Sequence, residues 1–386
     1  MAKIAFISTM DGSPWGGSEY LWAAAAKQAL KDGHEVLVSL HDWSEKHSIV
    51  SDLTRQGAQL FLRPRNSKSS IFFRAFRRAS QSIPSFIPIH SKSLYQSLFD
   101  LNPDAICISQ SNSFDVSGQP DLLNLLYSSS IPFTLICQLN GDAFSLKDSA
   151  RATVQKLFTQ AAVVAFVSRH NLTLAERQLA QTLPQATVVQ NPVNLTSTNP
   201  VPFPDQSTAK FACVARLETT YKGQDALFEV LSSPEWKERH WLCSLYGSGP
   251  DRAYLEALAK YYGISDRIQF AGHVNDIRSV WAENHLLVLP SRSEGTPLAL
   301  VESMLCGRPA VVTDVGGNAE WIQEGTTGFI AEAPTMRSLS AALERAWLAQ
   351  DKWILMGETA RAYAINRRDA FPGKSLLNLI VDTINP

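Results

Sequence analysis

Ser291-Arg292-Ser293-Glu294-Gly295-Thr296-Pro297-Leu298-Ala299-Leu300-Val301-Glu302 follows an apolar, strand-like run from Leu286 to Pro290. One carboxylate, Glu294, falls in the turn after that strand. A second, Glu302, follows eight positions later inside a helix that Pro297 can open, because proline suits a first helical turn. Gly295 lets backbone approach a ligand closely, and a helix start offers unpaired N–H groups and a positive dipole end. Carboxylates accept hydrogen bonds from sugar hydroxyls while a helix end takes phosphate. The pattern therefore suits a molecule carrying both groups, such as a sugar nucleotide. Taken alone, two glutamates eight apart also fit a solvated helix face.

The residues that follow favour the first reading. Met304-Leu305-Cys306-Gly307-Arg308-Pro309-Ala310-Val311-Val312-Thr313-Asp314-Val315-Gly316-Gly317-Asn318-Ala319-Glu320 reads as helix, glycine stop, buried strand and a second glycine-bearing loop. Two neighbouring strand–loop–helix turns build a crevice at the carboxyl ends of parallel strands, where α/β proteins bind ligands.

Together these residues resemble the glutamate-seven-glutamate signature of retaining glycosyltransferases, family 4, with its glycine-pair loop behind. Phe211-Ala212-Cys213-Val214-Ala215-Arg216-Leu217 followed by Lys222-Gly223 is similar to that family's strand–Arg–Leu…Lys-Gly element. Leu245-Tyr246-Gly247-Ser248-Gly249-Pro250 and Phe270-Ala271-Gly272-His273-Val274 resemble two further landmarks. The resemblance is specific from about Phe211 to Gly328. It implies the GT-B fold: α/β, with two Rossmann-like doubly wound domains facing across a cleft, and the donor held mainly by the second.

Length and composition agree with that expectation. A chain of 386 residues accommodates two doubly wound units, and 45% hydrophobic with 18% charged residues suits a globular protein with sizeable cores. A formal net charge of −1 gives no indication of a nucleic-acid partner. No apolar run reaches the roughly 18 residues needed to span a bilayer. Met1 to Ser8 reads as a first strand rather than a signal peptide, so a cytoplasmic protein is expected. Cys107, Cys137, Cys213, Cys243 and Cys306 are odd in number and scattered, which suits buried thiols rather than a disulfide framework or a metal site.

Strand-like and helix-like segments alternate throughout, as parallel sheets with helices on both faces require. Strands are predicted at Ile4–Ser8, Glu35–Leu40, Gln59–Leu62, Ala105–Ser109, Thr134–Gln138, Val163–Val167 and Thr187–Val189 in the first half. In the second they are predicted at Phe211–Ala215, Trp241–Tyr246, Arg267–Phe270, Leu286–Leu289, Ala310–Thr313 and Gly328–Ile330. The four prolines between Gln190 and Pro204 mark a linker. The expected division is an N-terminal acceptor domain over 1–195, a linker over 196–207 and a donor domain over 208–369. From the resemblance, a C-terminal helix at about 370–386 crosses back to complete the first domain.

The resemblance assigns Arg216 and Lys222 to the donor diphosphate. A guanidinium fork and an ammonium can together stabilise a leaving phosphate without a metal ion. It assigns Glu294 to hydroxyls of the donor sugar and Glu302 to the ribose, with the amides from Gly295 through Thr296 and Pro297 to Leu298 meeting sugar or phosphate. Asp11-Gly12-Ser13-Pro14-Trp15-Gly16-Gly17-Ser18-Glu19 follows the first strand and opens a helix that Ser18 can cap. Gly16 and Gly17 resemble the family's Gly-Gly loop near the donor phosphates, and the loop is not Gly-x-Gly-x-x-Gly, which argues against a nicotinamide cofactor. No cofactor beyond the nucleotide sugar is expected.

Two departures stand out. The family commonly shows Gly-Phe-Gly after the first glutamate, where this chain has Gly295-Thr296-Pro297. It also commonly carries a histidine just after the strand ending near Cys137, a place that Gln138 takes here. Neither Gln138 nor Asn140 can act as a general base, but Gln138, Asn140 and Asp142 can hydrogen-bond acceptor or donor oxygens. None of the remaining histidines commands a role: His34 reads as structural, His170 follows a strand-to-helix turn from which the cleft can be reached, and His273 matches a family position near the base. A catalytically silent nucleotide-sugar-binding protein, or an epimerase on the same fold, is the alternative to a retaining transferase.

From Leu53 to Phe99 there is no Asp or Glu, while Arg55, Arg63, Arg65, Lys68, Arg74, Arg77, Arg78 and Lys92 alternate with Phe72, Phe73, Phe76 and Phe86. That composition suits peripheral contact with an anionic membrane or an anionic acceptor, and equally a solvated helix with phenylalanines packed inward. The acceptor itself, whether glycan, lipid or small molecule, is not specified by these motifs.

Overall fold

The computed structural model describes residues 1–64, 93–195, 197–205 and 207–384. Among the described residues thirteen strands form two wholly parallel sheets. The front sheet contains β1 (Lys3–Ser8), β2 (Glu35–His41), β3 (Gln59–Arg63), β4 (Ala105–Gln110), β5 (Phe133–Cys137), β6 (Val163–Phe166) and β7 (Ala186–Val188), in the order β3-β2-β1-β4-β5-β6-β7. The rear sheet contains β8 (Ala209–Val214), β9 (Trp241–Tyr246), β10 (Ile268–Gly272), β11 (Leu286–Leu289), β12 (Ala310–Thr313) and β13 (Gly328–Ala331), ordered β10-β9-β8-β11-β12-β13.

The apolar runs explain why these strands are parallel and central. β4, β11 and β12 are buried at every position, as strands covered on both faces must be. Along β1 the two-residue period divides the core: Ile4 and Phe6 pack with Trp22 and Ala26, whereas Ala5 and Ile7 pack with Leu122 and Phe158. In the rear sheet Phe211 faces Trp236 and Trp241, while Ala212 faces Leu300, Met304 and Leu305. All five cysteines are buried free thiols, and desolvation raises the Cys306 pKa to about 11.

Every expected strand is present, with differences at the ends that have local causes. Gln138 and Val167 stand one residue beyond β5 and β6, where the chain turns into the cleft. Arg267 belongs to a short 3-10 turn, and β10 begins at Ile268. Arg63, expected on a solvated basic face, is 2% exposed. As the last residue of β3 it points inward, donating to the Ser8 carbonyl and the Tyr95 hydroxyl. Arg55 is exposed and paired with Asp52 at 3.3 Å. Arg65, Lys68, Arg74, Arg77, Arg78, Lys92 and the four phenylalanines lie outside the described residues. Among the described residues no helix is long and apolar enough to cross a membrane.

Two segments connect the halves. The chain leaves β7 and is tied to the rear domain by buried Arg308, which donates to the carbonyls of Val201 (3.2 Å) and Pro202 (2.6 Å). It returns after the Trp353–Arg367 helix, where the Gln190 side chain joins the outgoing and returning segments through Arg367 O (3.1 Å) and Asp369 N (2.7 Å). The Pro372–Asp382 helix then lies on the front domain, with Leu376, Leu377 and Ile380 buried beside Trp22 and Ala26.

That return packs closely because Gly373 lacks a side chain. A Cβ there would meet the Ala24 carbonyl carbon at 2.6 Å and the Ala24 Cβ at 2.8 Å. Gly373→Ala is expected to destabilise the protein by about 1–3 kcal/mol through overpacking, read as a lowered thermal midpoint by circular dichroism. An unchanged midpoint would contradict this helix contact.

Candidate active site in the interdomain cleft

Each sheet reverses its strand order at one point, between β1 and β4 in front and between β8 and β11 behind. The carboxyl ends of the strands at such reversals open a ligand crevice, and here the two crevices face each other. A cavity of about 270 Å³ between them is lined in front by Gly17, Ser18, Ser111, Gln138, Leu139 and Asn191. Its rear wall includes Arg216, Lys222 and the run from Glu294 to Ala299. An adjoining space of about 760 Å³ shares Gly17 and Val214 to Arg216, and is completed by Trp15, Gly16, Tyr246 to Pro250 and His273.

Glu294 is 5% exposed, and its Oε1 accepts from Lys222 Nζ and from Ser291 Oγ, each at 2.7 Å. An ammonium has three donors, so this pairing leaves Lys222 able to meet a phosphate as well. Arg216 is half exposed and contacts Glu218 at 3.1 Å. The Leu298–Leu305 helix begins directly after Pro297, whose φ of −70° and ψ of 122° make it the residue before the first turn rather than inside it. Pro297, Leu298 and Ala299 line the cavity, so the positive end of that helix faces the space between Arg216 and Lys222.

The turn bearing Glu294 is held by backbone packing. Gly316 has φ +54°, and a Cβ on it would meet the Glu294 carbonyl oxygen at 2.3 Å. A Cβ on Gly295 would meet the Gln138 carbonyl oxygen, in the front domain, at 2.1 Å. Gly317 N donates to Gly295 O at 2.6 Å. Arg292 anchors the same turn to the Lys222 segment, donating to Thr219 O at 2.6 Å and, through two nitrogens, to both oxygens of Asp225 at 2.7 and 2.9 Å. Sequence reasoning missed Arg292, although an arginine two residues before the first glutamate was a visible signal for a bidentate carboxylate clamp.

The front residues are arranged differently from their sequence-based assignments. Gln138 lines the cavity, but its amide is engaged with Asn191 in both directions, at 2.9 and 3.2 Å, and with Ser18 O at 3.1 Å. Asn140 is 1% exposed and donates to Gln178 Oε1 at 2.9 Å. Asp142 faces a separate surface depression and pairs with Arg177. Neither Asn140 nor Asp142 lines the cleft cavity. Ser18 does not cap its helix: it has helical φ and ψ of −65° and −21°, and its hydroxyl turns to Glu19. His170 contributes its backbone N–H to Glu320 at 2.9 Å. Glu19 is buried below this loop, and desolvation raises its pKa above the ordinary carboxylate range.

Glu302 does not line either space. It is 6% exposed, its carboxylate accepts from Asn194 N at 3.4 Å, and burial raises its pKa to about 7. Because the folded-state pKa lies above the unfolded value, the folded protein favours the protonated acid. The contribution to stability is fully present below about pH 4.5 and is lost as pH rises through about 7. Glu302→Gln removes this dependence. Relative to wild type it should gain on the order of 2–3 kcal/mol between pH 4.5 and 8, measured by denaturant unfolding at both values; a constant difference would contradict the burial argument.

Several known proteins are similar to this chain in part of its sequence or in its fold. Residues 199–363 match the family model described as "Glycosyl transferases group 1". The D-inositol 3-phosphate glycosyltransferase of Gordonia bronchialis is 34% identical over 121 residues, covering 31% of this chain and 26% of the relative. The lipopolysaccharide glucosyltransferase WaaG of Escherichia coli is 31% identical over 145 residues, 37% of this chain and 38% of the relative. The matched stretch thus spans well under half the length of these curated relatives. Among solved structures, HepE of Anabaena in complex with UDP aligns over 99% of both chains with a TM-score of 0.70 at 18% identity. Sucrose-phosphate synthase of Thermosynechococcus elongatus aligns over 99% of both at a TM-score of 0.71 and 15% identity. The structural likeness is one of fold. The chain has the GT-B fold, and residues 199–363 within its rear half are similar to the group 1 glycosyl transferases.

Proposed function

We propose that this protein transfers a sugar from a nucleoside diphosphate sugar to an acceptor hydroxyl, with retention at the anomeric carbon and without a metal ion or other cofactor. The reading rests on one observation: Arg216, Lys222, Glu294 and a helix N-terminus all line the same space. Arg216 and Lys222 meet the diphosphate, Glu294 accepts from sugar hydroxyls, and the amides from Gly295 to Leu298 stabilise developing negative charge. Gly16 and Gly17 close over the phosphates from the front. Glu302 reaches the ribose once the Asn194 contact yields, and His273 stands beside the base. Because HepE was solved with UDP, uridine is the base to test first.

The front wall favours retention without an enzymic base. Gly17, Ser18, Ser111, Gln138, Leu139 and Asn191 carry no side chain that titrates near neutrality. The acceptor oxygen forms its bond to the anomeric carbon as the bond to the phosphate oxygen breaks on the same face. The acceptor's proton passes to that departing phosphate. The same wall disfavours an epimerase, which needs acid–base groups across the cleft.

The locked amide of Gln138 is the one feature that favours the alternative, a protein that binds nucleotide sugar without turning it over. The acceptor is a glycan, a lipid or a small molecule; contact with an anionic membrane through the 53–99 stretch rests on its composition, with Arg63 now removed from the exposed set.

UDP at a hundredfold above its dissociation constant should stabilise wild type by about 2.7 kcal/mol and leave Arg216→Ala unshifted in thermal melts. An equal shift in that variant would move the diphosphate elsewhere. Lys222→Ala should lower the transfer rate by about 10²–10³-fold, with the wild-type product keeping the donor's anomeric configuration by NMR and turnover unaffected by EDTA. Nucleotide binding with no transfer to any of a broad acceptor panel would favour the silent-binder alternative.

A further inference from the structure

The turn carrying Glu294 is heavily engaged by the front domain. Ser293 Oγ donates to Asn140 O at 2.7 Å, and Thr296 Oγ1 donates to Val167 O at 2.6 Å. From the opposite side, the Asn171 side chain donates to Glu294 O at 2.9 Å. Asn140 and Glu294 also pair as an isolated antiparallel bridge. All three side chains reach across the cleft to backbone carbonyls, and Ser293 and Asn171 are buried.

These contacts bracket Glu294 on both sides. Thr296 stands where a ligand contact is expected from sequence, yet its hydroxyl is directed to the front domain. Opening the cleft separates all three bonds at once, because each has one partner in each domain. Water can replace them, so each contributes modestly, which suits a contact that breaks and re-forms during turnover. Gly317 N and Arg292 support the turn through partners that lie wholly within the rear domain, so these contacts do not depend on the front domain.

We propose that Ser293, Thr296 and Asn171 form a closure latch: they are positioning residues that fix the Glu294 turn only when the two domains are shut. The inference rests on the transferase reading for its catalytic consequence, but its structural half does not. Donor binding in the open state relies on Arg216 and Lys222, whereas transfer requires the latched turn. Sugar positioning is thereby completed at the moment the front domain encloses the donor, which limits loss of the activated sugar to water.

The test compares wild type with Thr296→Val, Thr296→Ser and Ser293→Ala. Hydrogen exchange of segment 291–298 and the radius of gyration report the latch; kcat, KM and the UDP dissociation constant report its effect. Thr296→Val and Ser293→Ala should exchange faster in that segment and expand on average. Each should lose about tenfold in kcat, equivalent to one hydrogen bond of about 1.4 kcal/mol, with UDP affinity kept within about twofold. Thr296→Ser, which retains the hydroxyl, should behave as wild type. Wild-type exchange and kcat in both deletion variants would overturn the latch. Loss of UDP binding in Thr296→Val would also overturn it, by making the hydroxyl a ligand contact. If wild type neither binds nor turns over any nucleotide sugar, the functional reading fails separately, and exchange and scattering still decide the latch.

Discussion

The Glu294 turn is pressed between backbone on two sides, and this packing constrains the rest of the site. Below it, the glycine pair after β12 comes so close that a Cβ on Gly316 would overlap the Glu294 carbonyl. Above it, Gly295 meets the Gln138 carbonyl of the front domain. Neither contact tolerates a side chain, so the position of one carboxylate is set jointly by β11, β12 and the end of β5. The glycines in this region serve to bring three chain segments to one point, and the cavity is what remains beside them.

Charge is distributed around that point in pairs. Lys222 faces Glu294, Arg216 faces Glu218, and Arg292 is held by Asp225. Of these three, the Arg292 pair is the bidentate one, and it acts as a strut. Lys222 and Arg216 retain donors that a diphosphate can take, so anion binding need not expose an uncompensated carboxylate. Glu302 is different: it lies buried with a weak backbone contact from the linker, and its elevated pKa is the physical trace of that isolation. A ribose in hydrogen-bonding range would relieve it, as hydroxyl donors favour the ionised form.

Much of the fold was legible in the sequence because parallel, doubly covered strands write themselves as continuous apolar runs. Leu286–Leu289, Ala310–Thr313 and Trp241–Tyr246 coincide with their strands to the residue. The rear wall was legible for a related reason: Arg216 and Glu294 follow strands closely and Lys222 directly precedes the turn at Gly223, so local sequence determines where they emerge. The front wall was not. Asn140 and Asp142 follow β5 closely in sequence, but Gln178 and Arg177, from a later helix, draw their side chains away from the cleft. Arg63 shows the same limit, since its inward direction depends on Ser8, two strands away at the end of β1, and on Tyr95. Long-range partners of this kind leave no periodic mark.

In the proposed function the two domains meet to hold a nucleotide sugar with its phosphates on cations and its sugar on Glu294. A crystal structure of the protein with an unreactive UDP-sugar analogue tests this most directly. Diphosphate oxygens are expected within hydrogen-bonding distance of Arg216 and Lys222, with a sugar hydroxyl on Glu294 and the Thr296 hydroxyl still on Val167. A diphosphate bound away from both cations, with the Glu294 turn unoccupied, would contradict the proposed function.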